Sequence, residues 1–470
     1  MKTRKNIKTI YFTNRRDRSF IQSLTKRKLR TKSKSRTKSK SRTKSKSRTK
    51  SKSRSKSKSR TKSKSRSLAG QAFAEGGFGC VFRPQLACNT PTKEISDGVT
   101  KLMKKRHQQN ELREFNTVKS IITKIKNYKN YFLVDDIYGC EPAPLSSDDK
   151  QNFNVKCKNL VKSGFNKDNI NKKLKRLGLI NLPYGGISID KYFSTWNMLN
   201  QSEKKKKSFI ETNKSLLSLL TKGILPMNKK KYLHMDVKGA NILRSVKSMD
   251  EILDNDNIKV RLIDWGLAVN FASTPISRAP KEIFNGPIQY NTPFSTILFQ
   301  QDMTMYMKNY LIRHFRRGHS NTISRIQLMR NLAYDVYHTS LQVVGEGHNT
   351  YILSVLEEIY LPYLNGKKQS GVDIIAEYLA TILNKYIDKK YNFHEGKYFH
   401  EVYSKNVDVW GFIMSYMDLI NFNKASVHIS TLKTAVIKIM SEYCFSTTYA
   451  VTPIPINKLV TDIKRLNSIA

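Results

Sequence analysis

The sequence has no run of eighteen apolar residues, so no transmembrane helix is expected. Its start, Met1-Lys2-Thr3-Arg4-Lys5, is charged but has no apolar stretch behind it, which argues against a secretory signal. Cysteine is scarce. There are five in 470 residues (Cys80, Cys88, Cys140, Cys157 and Cys444), and none lies in a C-x-x-C pair. That scatter argues against a zinc site and predicts reduced thiols in an intracellular compartment. Acids are also scarce, with 36 Asp and Glu against 85 Lys and Arg, for a net charge of +49.

The positive charge is densest at the N-terminus. Residues 1–30 carry eleven Lys/Arg and one Asp; residues 31–66 carry eighteen Lys/Arg and no acid. The remainder still holds +21 of the total. Residues 31–66 are six hexamers, five reading Thr-Lys-Ser-Lys-Ser-Arg and the one at Ser55 starting with Ser. With no apolar side chain to offset chain entropy, residues 1–67 are expected to be a disordered basic tail. Such a polycation suits nucleic acid or another polyanion, bound through phosphates with strong salt dependence. A nuclear-localisation signal, a grip on an acidic protein and a partnerless solvated tail all stay open. Each hexamer offers three hydroxyls among basic residues. Phosphorylation adds about −1.5 to −2 charge per group, enough in sum to invert the tract and release it from polyanions.

The stretch that organises the rest is His234-Met235-Asp236-Val237-Lys238-Gly239-Ala240-Asn241-Ile242-Leu243. A charged loop runs into a short apolar strand. Further on, Val260-Arg261-Leu262-Ile263-Asp264-Trp265-Gly266 reads as a buried strand ending in Asp-aromatic-Gly. Two acids and an amide at strand ends can hold Mg²⁺ and accept a hydroxyl proton.

These two stretches resemble the protein-kinase family's H-R-D-x-x-x-x-N and D-F-G. The resemblance implies an α+β, two-lobed protein-kinase-like fold, with a small β-rich N-lobe (about 68–183) and a large helical C-lobe (about 184–470). It implies ATP and Mg as cofactors and protein substrates. Asp236 would be the catalytic base and Lys238 would stand near the transferred phosphate. Asn241 and Asp264 would be the metal ligands. Lys238 also favours Ser/Thr acceptors over Tyr, again by resemblance.

Upstream, Gln71 to Phe82 reads as strand, glycine-rich turn and strand. Gly76, Gly77 and Gly79 would let the backbone approach phosphates, and Phe78 could fold over them. Against G-x-G-x-x-G-x-V the chain reads Ala74, Gly76, Gly79 and Val81, so the first glycine is replaced by Ala74. Val99-Thr100-Lys101-Leu102-Met103 resembles V-A-I-K, which assigns Lys101 to the α/β-phosphates. A helix is expected from His107 to about Asn127, with Leu112, Phe115, Val118, Ile121, Ile122 and Ile125 on one stripe. Glu111 and Glu114 are both candidate partners of Lys101; the helix register favours Glu114. A strand is expected around Tyr131–Val134 and Ile137-Tyr138, then a lysine-rich insertion over 140–173. Leu177 to Gly186 would form the last strand and hinge, with backbone groups around Leu182 to Tyr184 meeting adenine in the family.

After Phe209–Lys222, a buried helix, the departures accumulate. Met235 replaces the arginine of H-R-D, and Trp265 replaces the phenylalanine of D-F-G, with an indole N–H that wants a partner. Thr274 to Glu282 resembles the end of the family's activation segment, but Tyr290-Asn291-Thr292-Pro293-Phe294-Ser295 is an alternative substrate-binding segment. A helical insertion is expected over about 283–405, with helices at Ile352–Tyr363 and Val372–Ile387. Asp408, in Val407-Asp408-Val409-Trp410, matches the residue that anchors the family's catalytic loop. Helices around 428–442 and 456–467 close the chain. The divergent style resembles serine/threonine kinases encoded by large DNA viruses, which implies a location in the host cytoplasm or nucleus, or in a virion. Two other functions stay open: a kinase-fold scaffold docking through its tail, and a small-molecule or lipid kinase.

Overall fold

The computed structural model describes residues 71–76, 79–90, 95–246, 251–253, 257–316, 323–363, 369–420 and 427–470. The tail 1–67 with its repeats, and Gly77 and Phe78, lie outside the described residues. Ala69–Ala470 form one compact unit.

Five strands make one antiparallel sheet: β1 (Gln71–Gly76), β2 (Gly79–Arg83), β3 (Gly98–Lys104), β4 (Tyr138–Cys140) and β5 (Leu177–Pro183). Their order is β1-β2-β3-β5-β4. Alternation along the strands decides what each face does, because successive side chains point to opposite sides. Cys80, Phe82, Leu102, Leu177 and Leu179 point to one face and join a core with Leu145, Phe153, Leu160, Phe165 and Ile170. The lysine-rich insertion therefore folds back as short helical turns, Phe153–Lys156 and Lys158–Lys162, and covers that face. Val81, Val99, Lys101, Ile180 and Leu182 point to the other face and line a cavity. The register sets Lys101 between Val81 and Ile180.

The expectation of reduced thiols is corrected here. Cys80 is bonded to Cys157, and Cys88 to Cys140. Cys444 is free and buried. The partners are 77 and 52 residues apart, so sequence spacing gave no sign of the pairing. Folding the insertion onto β2 is what brings them together.

Helix α1 (Lys105–Ile122) follows β3 directly. It ends five residues short of the expected Asn127, whose left-handed backbone (φ 57°) starts a separate 3-10 turn. Gln108 pins the helix to the sheet by donating to Leu179 O (2.8 Å) and Cys140 O (3.0 Å). The approach is so close that a Cβ on Gly178 would lie 2.4 Å from the Gln108 side chain. The strand expected at 131–134 is reduced to one bridge, Phe132 to Leu262.

Most of the chain after β5 is helical. Helix α2 (Ile189–Met198) and helix α3 (Glu203–Ser218) come first, and α3 continues as a π-turn through Ile224. Two small pairings follow: Tyr232–Leu233 with Val269–Asn270, and Ile187–Ser188 with Ile242–Arg244 and Val260–Leu262. The expected insertion supplies α4 (Met303–Arg316), α5 (Arg325–Val344), a helical run from Asn349 to Tyr363, and α6 (Gly371–Tyr386). Ser370 and Asp373 start α6 with a reciprocal capping box. Helix α7 (Ser404–Met414) is buried along nearly its whole length. Helices α8 (Val427–Tyr443) and α9 (Ile456–Ile469) pack together at the end. Among the described residues no helix is long and apolar enough to cross a membrane.

The two disulfides close loops of this size in the sheet region, so reduction should lower its stability by about 2–4 kcal/mol per bond. Denaturant unfolding with and without reductant measures this; identical midpoints would contradict the account.

Candidate active site

The site is built outward from α7. Asp408 is 1% exposed. Its Oδ2 accepts the His234 N–H (2.9 Å) and its Oδ1 accepts the Met235 N–H (2.9 Å). Met235 is held in the left-handed region, φ 64°, a conformation that a bulky residue keeps only when its surroundings impose it. Helix α7 approaches so closely that a Cβ on Gly411 would lie 2.3 Å from Val237 O. Burial raises the Asp408 carboxyl to about 6, while the His234 and Met235 N–H groups and Asn228 work against that shift.

His234 is fully buried, and burial lowers its imidazole to about 4 against the pull of Asp236 and Asp264. A neutral ring with its proton on Nε2 satisfies both neighbours. Nε2–H donates to Ile263 O (3.1 Å), and Nδ1 accepts the Asp236 N–H (3.3 Å). The ring thus ties the Asp236 loop to the strand that ends at Asp264.

Asp236 is 7% exposed, and three side chains fix its carboxylate. Lys238 Nζ lies 2.9 Å from both oxygens. Asn241 Nδ2 donates to Oδ2 (2.8 Å) and to the Asp236 carbonyl (2.9 Å). Asn291 Nδ2 donates to Oδ1 (2.9 Å). Spending Nδ2 on Asp236 leaves Asn241 Oδ1 as the acceptor for another group. Asp264, at φ 68°, is exposed and lines the cavity.

That cavity measures about 550 Å³. Ala74, Val81, Val99 and Ile180 wall one side, and Leu243, Ile263 and Ala240 of the Asp236 loop wall the other. Leu182, Pro183 and Tyr184 form its edge. Gly76 ends β1 and Gly79 begins β2. Apolar walls with a few convergent polar groups fit a flat ring carrying a charged tail. Asn241 Oδ1 and the Asp264 carboxylate are hard oxygen donors of the kind Mg²⁺ takes, with remaining ligands supplied by phosphate and water. Among the described residues no group of three or more His, Cys, Asp or Glu forms a protein-only metal site.

One assignment is corrected. Lys101 pairs with Glu111, at 2.7 and 2.9 Å, and not with Glu114. The two acids are three residues apart and share one side of α1, so the apolar stripe could not separate them. The docking of the helix through Gln108 puts the earlier acid over Lys101. Glu114 instead sits by the Asp264 turn, where a Cβ on Gly266 would lie 4.0 Å from its Oε2 and 3.7 Å from Asp264 Oδ1. Its carboxyl is raised by desolvation first, then by Glu111 and Asp264.

Trp265 is buried between Phe132 (5.7 Å) and His234 (4.7 Å). Its Nε1 has no hydrogen-bond partner. Of the two candidate segments, Tyr290–Ser295 is the one at Asp236, through Asn291, and Trp410 Nε1 donates to Tyr290 O (3.1 Å). Residues 275–278 lie instead against 396–400, where His400 meets Pro275 O at 3.2 Å. Asn291 is the functional residue that the sequence reading missed. Its only signal was membership of that alternative segment.

Neither a known protein family nor any curated protein matches the sequence.

Asp408 generates a pH prediction. Its folded carboxyl titrates above the usual 3.8, so its contribution to stability is complete below that pH and is lost as pH rises through about 6. Asp408→Asn cannot titrate and leaves one backbone N–H short of an acceptor. The stability margin of wild type over this variant should shrink by roughly 1–3 kcal/mol between pH about 4 and 7. Urea unfolding across that range checks it, and a constant margin would contradict it.

Proposed function

We propose that this chain is a serine/threonine protein kinase, transferring the γ-phosphate of ATP to protein hydroxyls in a Mg²⁺-dependent reaction on a two-lobed kinase fold. One observation carries the reading. The Lys101–Glu111 pair, Asp264 and the loop holding a fixed Asp236 meet at one cavity between an antiparallel sheet and a helical body.

In this reading ATP lies in the cavity with its adenine between the apolar walls, near the backbone of Leu182 to Tyr184. Lys101, oriented by Glu111, pairs with the α/β-phosphates. Asn241 and Asp264 hold Mg²⁺, which neutralises the β- and γ-phosphate oxygens when bound. Asp236 accepts the proton of the acceptor hydroxyl and aims its oxygen at the γ-phosphorus. Lys238, on both Asp236 oxygens, is placed to offset charge on the transferred group. Most of the catalysis is positioning and electrostatic preorganisation. The grip of Lys238, Asn241 and Asn291 on Asp236 supplies that positioning before substrate arrives. Met235 in place of arginine removes the family's usual contact to a phosphorylated segment, so activity without such phosphorylation is expected.

The test is transfer of labelled γ-phosphate from ATP-Mg²⁺ to a generic basic protein. Wild type should label serine or threonine, and Asp236→Asn should lower kcat by about 10²- to 10⁴-fold. Bound ATP with no transfer by wild type would sink the proposal in favour of a nucleotide-binding scaffold or a kinase for small molecules.

A further inference from the structure

Beside Asp236 the helical insertion and the sheet-proximal helices build a second surface that the transfer chemistry does not use. Its centre is Tyr290, next to Asn291. The Tyr290 ring meets the His348 ring (5.4 Å) and stands edge-on to Tyr351 (5.4 Å). The insertion is pinned there by the His348 N–H, which donates to Ile288 O at 2.9 Å.

Two carboxylates complete the surface. Asp190 is in the first turn of α2, and a Cβ on Gly239 of the Asp236 loop would lie 3.1 Å from its backbone nitrogen. Asp418 lies in the turn after α7, whose backbone is held by Asn197 Nδ2 on Asp418 O (3.2 Å). The Tyr290 phenol is raised by burial first, and Asp418, Asp236 and Asp190 all add to that shift. Asp418 is itself raised to about 6, by burial and then by Asp190. The two acids are therefore near neighbours. Among the described residues neither forms a salt bridge, in a chain with 85 Lys and Arg.

A third group points the same way. Asn291 is 1% exposed, and its Nδ2 is committed to Asp236. Its Oδ1 is buried without a hydrogen-bond partner. A buried acceptor without a donor is costly, and two like charges held together without a cation are costly too. Both costs fall if a cationic donor enters. An aromatic wall next to carboxylates and a carbonyl-type acceptor is the chemistry that holds an ammonium or guanidinium group.

We propose that Asp190, Asp418 and the Tyr290–Tyr351 wall form an acceptor subsite for a Lys or Arg side chain flanking the hydroxyl to be phosphorylated, which makes basic Ser/Thr peptides the substrate class. The inference rests on the kinase reading and deepens it. The chain's own hexamer, Thr-Lys-Ser-Lys-Ser-Arg, is a sequence of this type.

The experiment compares two synthetic peptides on the full-length protein: two copies of the hexamer, and the same peptide with every Lys and Arg replaced by Gln. The hexamer peptide should be used with at least about tenfold higher kcat/KM, the worth of one charge-assisted contact. Asp190→Asn with Asp418→Asn should bring the ratio towards one. Asp190→Lys with Asp418→Lys should reverse the preference towards a peptide carrying Glu at those positions. Equal kcat/KM for the two peptides on wild type, with transfer intact, overturns the subsite and leaves the kinase reading standing. No transfer to either peptide by protein that binds ATP overturns the kinase reading, and the subsite falls with it.

Discussion

A single buried carboxylate sets the geometry on which the rest depends. Asp408 accepts two consecutive backbone N–H groups, from His234 and Met235, with one oxygen each. Satisfying both requires the chain to turn at Met235 into a left-handed conformation. From that turn the next residue, Asp236, leaves in a fixed direction. The neutral His234 ring then couples the turn to Ile263, one residue before Asp264. Two acids on separate segments are thereby held relative to one another by backbone hydrogen bonds, not by the contacts of their own carboxylates. Helix α7 is a suitable anchor because it is buried along most of its length and closely packed through Gly411.

Sheet and helical body contribute different halves of the cavity. The period-2 alternation of β2, β3 and β5 gives one face to the cavity and the other to the insertion core. The disulfides tie that insertion to the sheet at β2 and β4. Lys101 is presented from β3 and α1 follows without a break, so the strand that carries the lysine and the helix that carries Glu111 form one continuous piece. The larger insertion does more than extend the helical body. Through His348 and Tyr351 it reaches the segment that holds Asp236.

Much of the site was legible in the sequence because its residues are local. Asp236, Lys238 and Asn241 fall within six positions, and their mutual hydrogen bonds are those of one short loop. Asp408 was legible from the Asp-Val-Trp run. What the sequence did not show depends on how distant elements dock. Choosing between Glu111 and Glu114 needed the placement of α1 on Gly178 and Gln108. The Cys80–Cys157 bond needed the insertion to lie on the sheet. Asn291 stands fifty-five residues beyond Asp236, and only the seating of Tyr290 on Trp410 brings it back. In the fold, the α+β class and the helical insertion followed from periodicity, whereas the strand expected at 131–134 gave way to a single bridge.

The most direct measurement is a crystal structure of the protein with Mg²⁺ and a non-hydrolysable ATP analogue. The account predicts the adenine between Val81 and Leu243, phosphate oxygens on Lys101, and Mg²⁺ bound by Asp264 and Asn241 Oδ1. The terminal phosphate should then face Asp236. Nucleotide bound elsewhere, or metal held without Asn241 and Asp264, would contradict it.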